Sequence, residues 1–468
     1  MPSRMRRALC WIRRDLRLSD HAALASATEA ADEVGVVFVF DTNILDSLAD
    51  RDDRRVSFIH RSLFELDARL KAQGSRLIVR HGDPLGEILA TVEEYGAEAV
   101  FAARDYEPYA RARDGALATQ IPLHLVRDSV IFEPEELTTE AGTHPRQHRS
   151  FKIAWQKAFR YAERVAPLEP DLTKLLPLEK GGWLGLPSLG FVPSEVEIKP
   201  GEAAAQERLL QFQRKVRAYE VDRNFPAVEG TSVLSVDLRF GTISTRACLR
   251  AALDGGMAGE KWLSELIWRD YYQHILFHFP AVVDAPFRDE FAALDYPGSE
   301  GHFEAWTEGK TGYPLIDAGM RCLRATGWMN NRLRMATAGF LAKNLLVDYR
   351  KGEAWFARYL LDFDLAANNG NWQWAASVGS DAQPFFRSFN PILQSEKFDP
   401  EGTFIRRWVP ELAKLPTSAI HAPGSSPLAV EEAGIRLGID YPLPIVDQKA
   451  TRDRSRAFLT EARTAQKG

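Results

Sequence analysis

The segment Asp362-Phe363-Asp364-Leu365-Ala366-Ala367-Asn368-Asn369-Gly370-Asn371-Trp372-Gln373-Trp374 places two carboxylates, four amides and two indoles within thirteen residues. A simple core helix does not tolerate such polarity without partners. As ordinary structure it would be a solvated turn with a capping aspartate. Against that stand Leu360, Leu361, Leu365, Ala366, Ala367, Trp372 and Trp374, all of which belong inside. Buried amides beside aromatic rings suit a planar heterocycle.

Three further clusters share this character. In KWLSELIWRDYY the i, i+3, i+4 spacing sets Trp262, Glu265, Trp268, Arg269 and Tyr272 along one helical face. There Glu265 could hydrogen-bond a bound base while Trp268 stacks on it; the plainer reading is an amphipathic helix with an internal Glu265–Arg269 pair. In Gly327-Trp328-Met329-Asn330-Asn331-Arg332-Leu333-Arg334-Met335 the same spacing puts Asn331, Arg334 and Met335 on one face, although Met335 alone reads as core filler. Glu229-Gly230-Thr231-Ser232-Val233-Leu234-Ser235 offers hydroxyls and turn amides that can bind phosphate oxygens without a P-loop lysine, or can simply cap a helix.

Composition bounds what these clusters can serve. The 468 residues predict two or more domains and a core that needs no staples. With Lys+Arg 59 against Asp+Glu 64 the net charge is −5, so any nucleic-acid site is a local patch on an otherwise mixed surface. Cys10, Cys248 and Cys322 are an odd number without CxxC spacing, which argues against a disulfide framework or a zinc cluster and for buried thiols in a reducing cytoplasm. No apolar run is long enough to span a bilayer, and no leader pattern opens the chain; the expectation is a soluble, cytoplasmic protein. Seven of the 11 tryptophans fall between residues 262 and 374.

The elements that must position the clusters divide the chain. Short β-branched runs at Ala8–Ile12, Val34–Phe40, Arg76–His81, Ala97–Ala103 and Leu123–Val126 read as five buried strands of a parallel sheet. Between them Val56, Ile59, Leu63, Leu66 and Leu70 mark a helix over Arg54–Lys71. Crossovers should be right-handed. The first strand–helix turn, Arg13-Arg14-Asp15-Leu16-Arg17, lacks glycine, so this Rossmann-like domain has no GxGxxG pyrophosphate site, and its arginines read as a paired surface loop. From Asp128 to Pro200 the periodicity weakens into a connector holding one helix around Phe151–Val165, and beyond Ala203 the pattern is all-α. The expected organisation is an α/β domain at 1–127, a connector at 128–202 and a helical domain at 203–468.

Together these segments resemble the photolyase/cryptochrome family of flavoproteins, and within it are most similar to bacterial cyclobutane pyrimidine dimer (CPD) photolyases. The resemblance runs over essentially the whole chain: WIRRDLRLSDHAAL, RNFPAVEGTSVLS, WLSELIWRDYY, WTEGKTGYPLIDAGMR, TGWMNNRLRM, DLAANNGNWQWAASVGSDAQPFFRSFNP and EKFDPEGTFIRRWVPEL occur in order. It implies an N-terminal α/β domain that can carry an antenna chromophore and an all-α C-terminal FAD-binding domain. The implied activity is that of a deoxyribodipyrimidine photo-lyase, a carbon–carbon lyase in which light drives electron transfer from FADH⁻ to a pyrimidine dimer in DNA. By resemblance, Tyr219, Thr231, Ser232, Val233, Leu234 and Ser235 line the FAD, with Trp262 and Arg269 from a neighbouring helix. Asp362, paired with Arg334, and Asp364 sit at the flavin ring. Asn368 faces flavin N5, where an amide cannot readily supply a proton.

The resemblance also assigns Glu265, Trp268, Asn331, Met335 and Trp374 to a flipped dimer in UV-damaged DNA, whose distortion lowers the cost of flipping. Glu265 and Asn331 would read the pyrimidine edges, and Glu265 would stabilise the charge that develops on the dimer. Arg223, Arg332, Arg387 and Gln394 would meet the flanking backbone, giving salt-dependent affinity. No metal, membrane or obligate protein partner is implied, and a monomer is expected.

Two places depart from the family pattern. Its tryptophan chain for flavin photoreduction is kept only at Trp372; Tyr349 and Tyr296 stand at the other positions, and a tyrosine is harder to oxidise unless its proton can leave, so a detour through Trp355 is open. At the antenna site Tyr109-Ala110 and Val282-Val283 replace the usual polar anchors for methenyltetrahydrofolate, which leaves a different folate pose, a deazaflavin or flavin, or an empty site. Among competing readings, a (6-4) photolyase would carry two histidines where Asn331 and Met335 stand, and a nicotinamide-dependent flavin enzyme would need a glycine motif that is absent. A cryptochrome-type blue-light photoreceptor is the main alternative to repair.

Overall fold

The computed structural model describes residues 4–381 and 388–465. The chain forms two compact units, Met1–Arg217 with Ser232–His278, and Ala218–Thr231 with Phe279–Gly468. This division by contacts cuts elsewhere than the sequence boundaries, because the Glu260–His278 helix packs with the first unit.

In the first unit five parallel strands, β1 (Met5–Trp11), β2 (Ala31–Asp41), β3 (Leu77–Gly82), β4 (Ala99–Ala103) and β5 (Leu123–Val126), stand in the order β3-β2-β1-β4-β5. The register aligns Cys10 with Val36 on one side and with Phe101 on the other. All five predicted strands are present. Strand β5 corrects the expectation of burial: it lies at the edge of the sheet, and His124 and Leu125 are exposed. The predicted helix appears as Arg54–Ala72, with Asp53 accepting from Arg55 N at its start and Val56, Leu63, Leu66 and Leu70 buried. Pro84, in the first turn of Pro84–Tyr95 behind the Asp83 cap, starts the next helix where a missing N–H costs nothing.

Two expectations for this unit need correction. The connector holds not one helix but two, His148–Ala158 and Tyr161–Val165. Phe159 leaves helical geometry to stack on Trp155, with centroids 4.8 Å apart and planes at 8°, and Arg160 is also extended. Arg17 is not a surface residue; it is 2 % exposed and donates to both carboxylate oxygens of Asp128 at 2.7 Å. Arg246 joins Asp128 to Asp20 at 2.8 and 2.7 Å, so two guanidiniums offset two carboxylates that burial alone would neutralise. These guanidiniums hold the Asp128 carboxyl below its ordinary range despite burial. Cys10, Cys248 and Cys322 are buried free thiols, as expected.

The second unit is helical. Its core gathers Trp306, Ile316, Met320, Leu323, Leu333, Leu341 and Trp372 from the helices Glu300–Glu308, Pro314–Thr326, Asn331–Gly339 and Leu365–Ala376 and from the π-helical turn Phe340–Asn344, together with Met329 from the loop before Asn331. Gly352, in the Tyr349–Tyr359 helix, allows the close approach of the Leu365–Ala376 helix: a Cβ there would lie 2.2 Å from Trp372 Cη2. Among the described residues no helix is long and apolar enough to cross a membrane.

Candidate active site

In the second unit Asp364 begins the Leu365–Ala376 helix, its Oδ1 accepting from Ala367 N at 3.1 Å. It does cap, but it is buried, so the segment is not a solvated turn. Asp362 accepts from Arg334 Nη2 at 2.8 and 3.1 Å, and Arg334 Nε is itself fixed on the Met329 carbonyl at 2.8 Å. The Asp362 side chain is 2 % exposed, so that guanidinium supplies partners that burial takes away. Asn368 donates one Nδ2 hydrogen to the Glu353 carbonyl at 3.1 Å, which fixes the amide plane; its oxygen can accept from a ligand and its second N–H can still donate.

Two of the four amides in the segment do structural work. Asn369 and Gln373 both donate to the Val282 carbonyl, at 2.8 and 2.9 Å, and Gln373 Oε1 accepts from Phe287 N at 2.8 Å. They tie the helix to the 282–287 segment, and the sequence pattern does not separate them from ligand-facing amides. Asn368, Asn371, Trp372 and Trp374 line a pocket together with Asn331, Arg334, Met335, Asp362 and Asp364, closed by Ala338, Phe356, Leu360, Phe363 and Ala367. Buried carboxylates, an amide and flat apolar walls fit a polar, planar ring system such as the flavin of FAD.

Around this pocket, Asn330 caps the Asn331–Gly339 helix, accepting from Arg332 N at 2.8 Å and donating to the Arg223 carbonyl at 3.2 Å. Asn331 Nδ2 reaches Met335 Sδ at 3.8 Å, as the spacing predicted. Arg332 donates to Asn224 at 2.6 Å, and its guanidinium lies 4.2 Å over the Phe398 ring. Tyr219 is buried beneath Arg223, whose guanidinium lies 5.2 Å from the ring centre. Gln394 is half-buried in the Pro391–Phe398 helix. Arg387 lies outside the described residues. Gly230 is required where it stands, since a Cβ would meet Asp222 Cβ at 2.4 Å; Thr231 follows it as the last residue of that segment.

The first unit carries the remaining candidates. Ser232 accepts from Leu234 N at 3.3 Å, Val233 adopts a left-handed φ of 55°, and Ser235 opens the short helix Ser235–Phe240. Trp262 is buried edge-on to Phe212 at 4.8 Å. Arg269 donates to the Ser129 carbonyl and, at 3.4 Å, to that of Leu238. Lys261 Nζ lies 3.9 Å from Glu265, while Arg269 turns to the Ser129 and Leu238 carbonyls. Glu265 keeps 28 % of its side chain exposed, and Trp268 is half-buried on the same helix. At the ends of β1 and β2, Tyr109 donates to Asp41 at 2.7 Å and Arg113 lies 4.7 Å over Trp11, so the replaced antenna position is built into a hydrogen-bonded cluster.

The candidate electron route divides. Trp372 is buried and packs edge-to-face on Trp306 at 6.0 Å. Tyr349 and Tyr296 touch at 6.3 Å, but burial pushes both phenols well above the ordinary range, and the Tyr296 hydroxyl has no partner among the described residues. No ring contact joins Trp372 to Tyr349 among the described residues, whereas Phe303 stands 6.1 Å from Trp306 and 6.2 Å from Trp355. Sequence reasoning missed Trp306, although it opens the WTEGKTG motif, and it missed Glu353, whose carboxyl burial pushes up to about 7. It also passed over His148, which lies on Trp268 with centroids 3.4 Å apart and planes at 1°.

Residues 8–171 match the DNA photolyase family and residues 262–461 match the FAD binding domain of DNA photolyase. A deoxyribodipyrimidine photo-lyase of Synechococcus sp. is 38 % identical, with 98 % of this chain and 97 % of the relative covered. Among solved structures, a bacterial class III photolyase from Agrobacterium tumefaciens superposes with a TM-score of 0.90 at 36 % identity, covering 99 % of each chain. A cryptochrome from Synechocystis gives 0.86 at 28 % identity over 98 % of this chain and 100 % of that one. Full-length likeness of this kind, over a sheet order and a pocket arrived at from the residues themselves, places the chain in the photolyase/cryptochrome family.

Proposed function

We propose that this protein is a deoxyribodipyrimidine photo-lyase that binds FAD and splits cyclobutane pyrimidine dimers in DNA under light. The observation that carries the reading is the pocket of the second unit, where Asp362 with Arg334, Asp364 and Asn368 meet the indoles of Trp372 and Trp374. FAD, when bound, supplies the light-excited electron donor. Asp362 and Asp364 accept hydrogen bonds from its ring edge, and Arg334 keeps the Asp362 charge affordable in a buried site. Asn368 offers an acceptor oxygen at N5 and holds no acidic proton, which favours the fully reduced state. Tyr219, Thr231, Ser232, Val233, Leu234, Ser235, Trp262 and Arg269 hold the rest of the cofactor.

On the DNA side, Glu265 and Asn331 recognise the pyrimidine edges, Trp268, Met335 and Trp374 form the apolar wall, and Arg223, Arg332, Arg387 and Gln394 contact the flanking strand. Photoreduction draws its electron first from Trp372. Refilling Trp372 from the Tyr349–Tyr296 pair requires loss of a proton from buried phenols, so the indoles of Trp306 and Trp355 are the alternative donors, with Phe303 packed between them as a spacer and not as a redox station. The protein works as a monomer in the cytoplasm, and its antenna site takes a folate, a deazaflavin or a second flavin, or stands empty. Repair is favoured over signalling because Asn368, Glu265, Trp268 and Trp374 are all retained.

Two variants separate the roles. Glu265→Ala should lower the repair yield while flavin content stays at the wild-type level; Asp364→Ala should lower flavin content. An unchanged repair yield in Glu265→Ala would overturn its assignment.

A further inference from the structure

Trp268 rests on a neighbour that no motif announces. His148, the first residue of the His148–Ala158 helix, lies parallel to it, with centroids 3.4 Å apart and planes at 1°. Tyr271 braces both rings edge-on, 5.5 Å from each, and its hydroxyl donates to the Arg146 carbonyl at 2.9 Å. Lys152 Nζ donates to Ser264 Oγ at 3.4 Å, tying the His148–Ala158 helix to the one that carries Trp268. All of these groups lie within the first unit. Burial, with Lys152 and Lys261 near, pulls the His148 imidazole down to about 4, so the ring that faces the indole is neutral at pH 7. Its Nε2 is buried and has no partner among the described residues, a cost that a ring kept only for bulk would not incur.

We propose that His148 is a positioning residue for lesion recognition, a backing plate that fixes the plane of Trp268 and reserves its opposite face for the flipped pyrimidine dimer. The inference rests on the reading of Trp268 as a lesion contact. An indole on a solvent-facing helix surface has two χ angles to lose on binding, and a stacked ring at van der Waals distance removes that freedom beforehand. The stack is face to face and Tyr271 meets both of its rings edge-on, so losing the imidazole removes contacts whose loss should cost about three- to tenfold in affinity.

The test is a dark titration of the full-length protein with a labelled duplex carrying one thymine dimer, read by fluorescence anisotropy beside the undamaged duplex. His148→Ala and His148→Leu should weaken dimer binding about three- to tenfold and leave undamaged DNA unchanged, while His148→Phe, which restores a flat ring, should stay within about twofold of wild type. In a Trp268→Ala background, His148→Ala should add less than about a twofold loss. The inference is overturned if His148→Ala and His148→Leu leave dimer affinity unchanged or tighten it, the latter meaning that the imidazole occupies the lesion's own face. It is equally overturned if the full loss recurs without Trp268. A Trp268→Ala protein that binds dimers normally sinks the lesion-contact reading and this inference with it, whereas a loss in Trp268→Ala beside a silent His148→Ala sinks only this one.

Discussion

The Arg334–Asp362 pair gives the sharpest energetic prediction. Asp362 is 2 % exposed at its side chain and Arg334 is 25 % exposed, and one Nη2 bridges both carboxylate oxygens. Arg334→Met removes the guanidinium and leaves a carboxylate without its countercharge in a low-dielectric site. Breaking a fully buried pair costs about 3 to 5 kcal/mol; the quarter exposure of Arg334 admits water, so about 2 to 4 kcal/mol is expected. Asp362→Asn in the same protein removes the stranded charge and should recover about half of that loss. Equilibrium denaturation of the wild type, both single variants and the double variant closes the cycle and yields the coupling directly. Additive losses, with a coupling below about 0.5 kcal/mol, would refute the claim that Arg334 and Asp362 act as one buried pair.

Two further outcomes follow from the second unit. Gly352→Ala gains about 1 kcal/mol of helix propensity but sets a methyl 2.2 Å from Trp372 Cη2 and 2.5 Å from Leu341 Cδ2. Overpacking of this kind costs about 1 to 3 kcal/mol or more, so lower stability and a shifted tryptophan emission are expected; unaltered stability would contradict the close packing. Burial raises the Glu353 carboxyl from 4.5 to about 7, so the neutral form is the one the fold favours, and its contribution is present below pH 4.5 and lost as pH rises through 7. Between about pH 5 and pH 8 the wild type should therefore lose up to about 3 kcal/mol relative to Glu353→Gln, measured as the difference of two denaturation series. Parallel pH profiles would show that Glu353 is solvated.

The sheet was legible because its strands are short apolar runs bounded by polar turns, and a parallel sheet buries most of their length. Strand β5 escaped because burial depends on position in the sheet order, which periodicity does not encode. The break at Phe159 came from a ring turning onto Trp155, a local stacking choice that outweighs helix propensity. Arg17 looked like surface because arginine usually is; its partner Asp128 is 111 residues away. In the site, residues within one motif were readable: the Asp364 cap and the Asn331–Met335 face both follow from helical spacing. Residues joined across the sequence were not. Arg334 could be paired with Asp362 only through family resemblance, and His148 on Trp268 or Gln373 on the Val282 carbonyl had no local signal at all.

The most direct test is chemical. A purified sample is mixed with an oligonucleotide containing one thymine dimer, divided, and either illuminated with near-UV to blue light or kept dark, and restored thymines are counted by chromatography. Restoration in the lit half alone, from a protein coloured by bound flavin, is the predicted result. Equal yields in both halves, or no restoration by a flavin-loaded protein under light, would contradict the account.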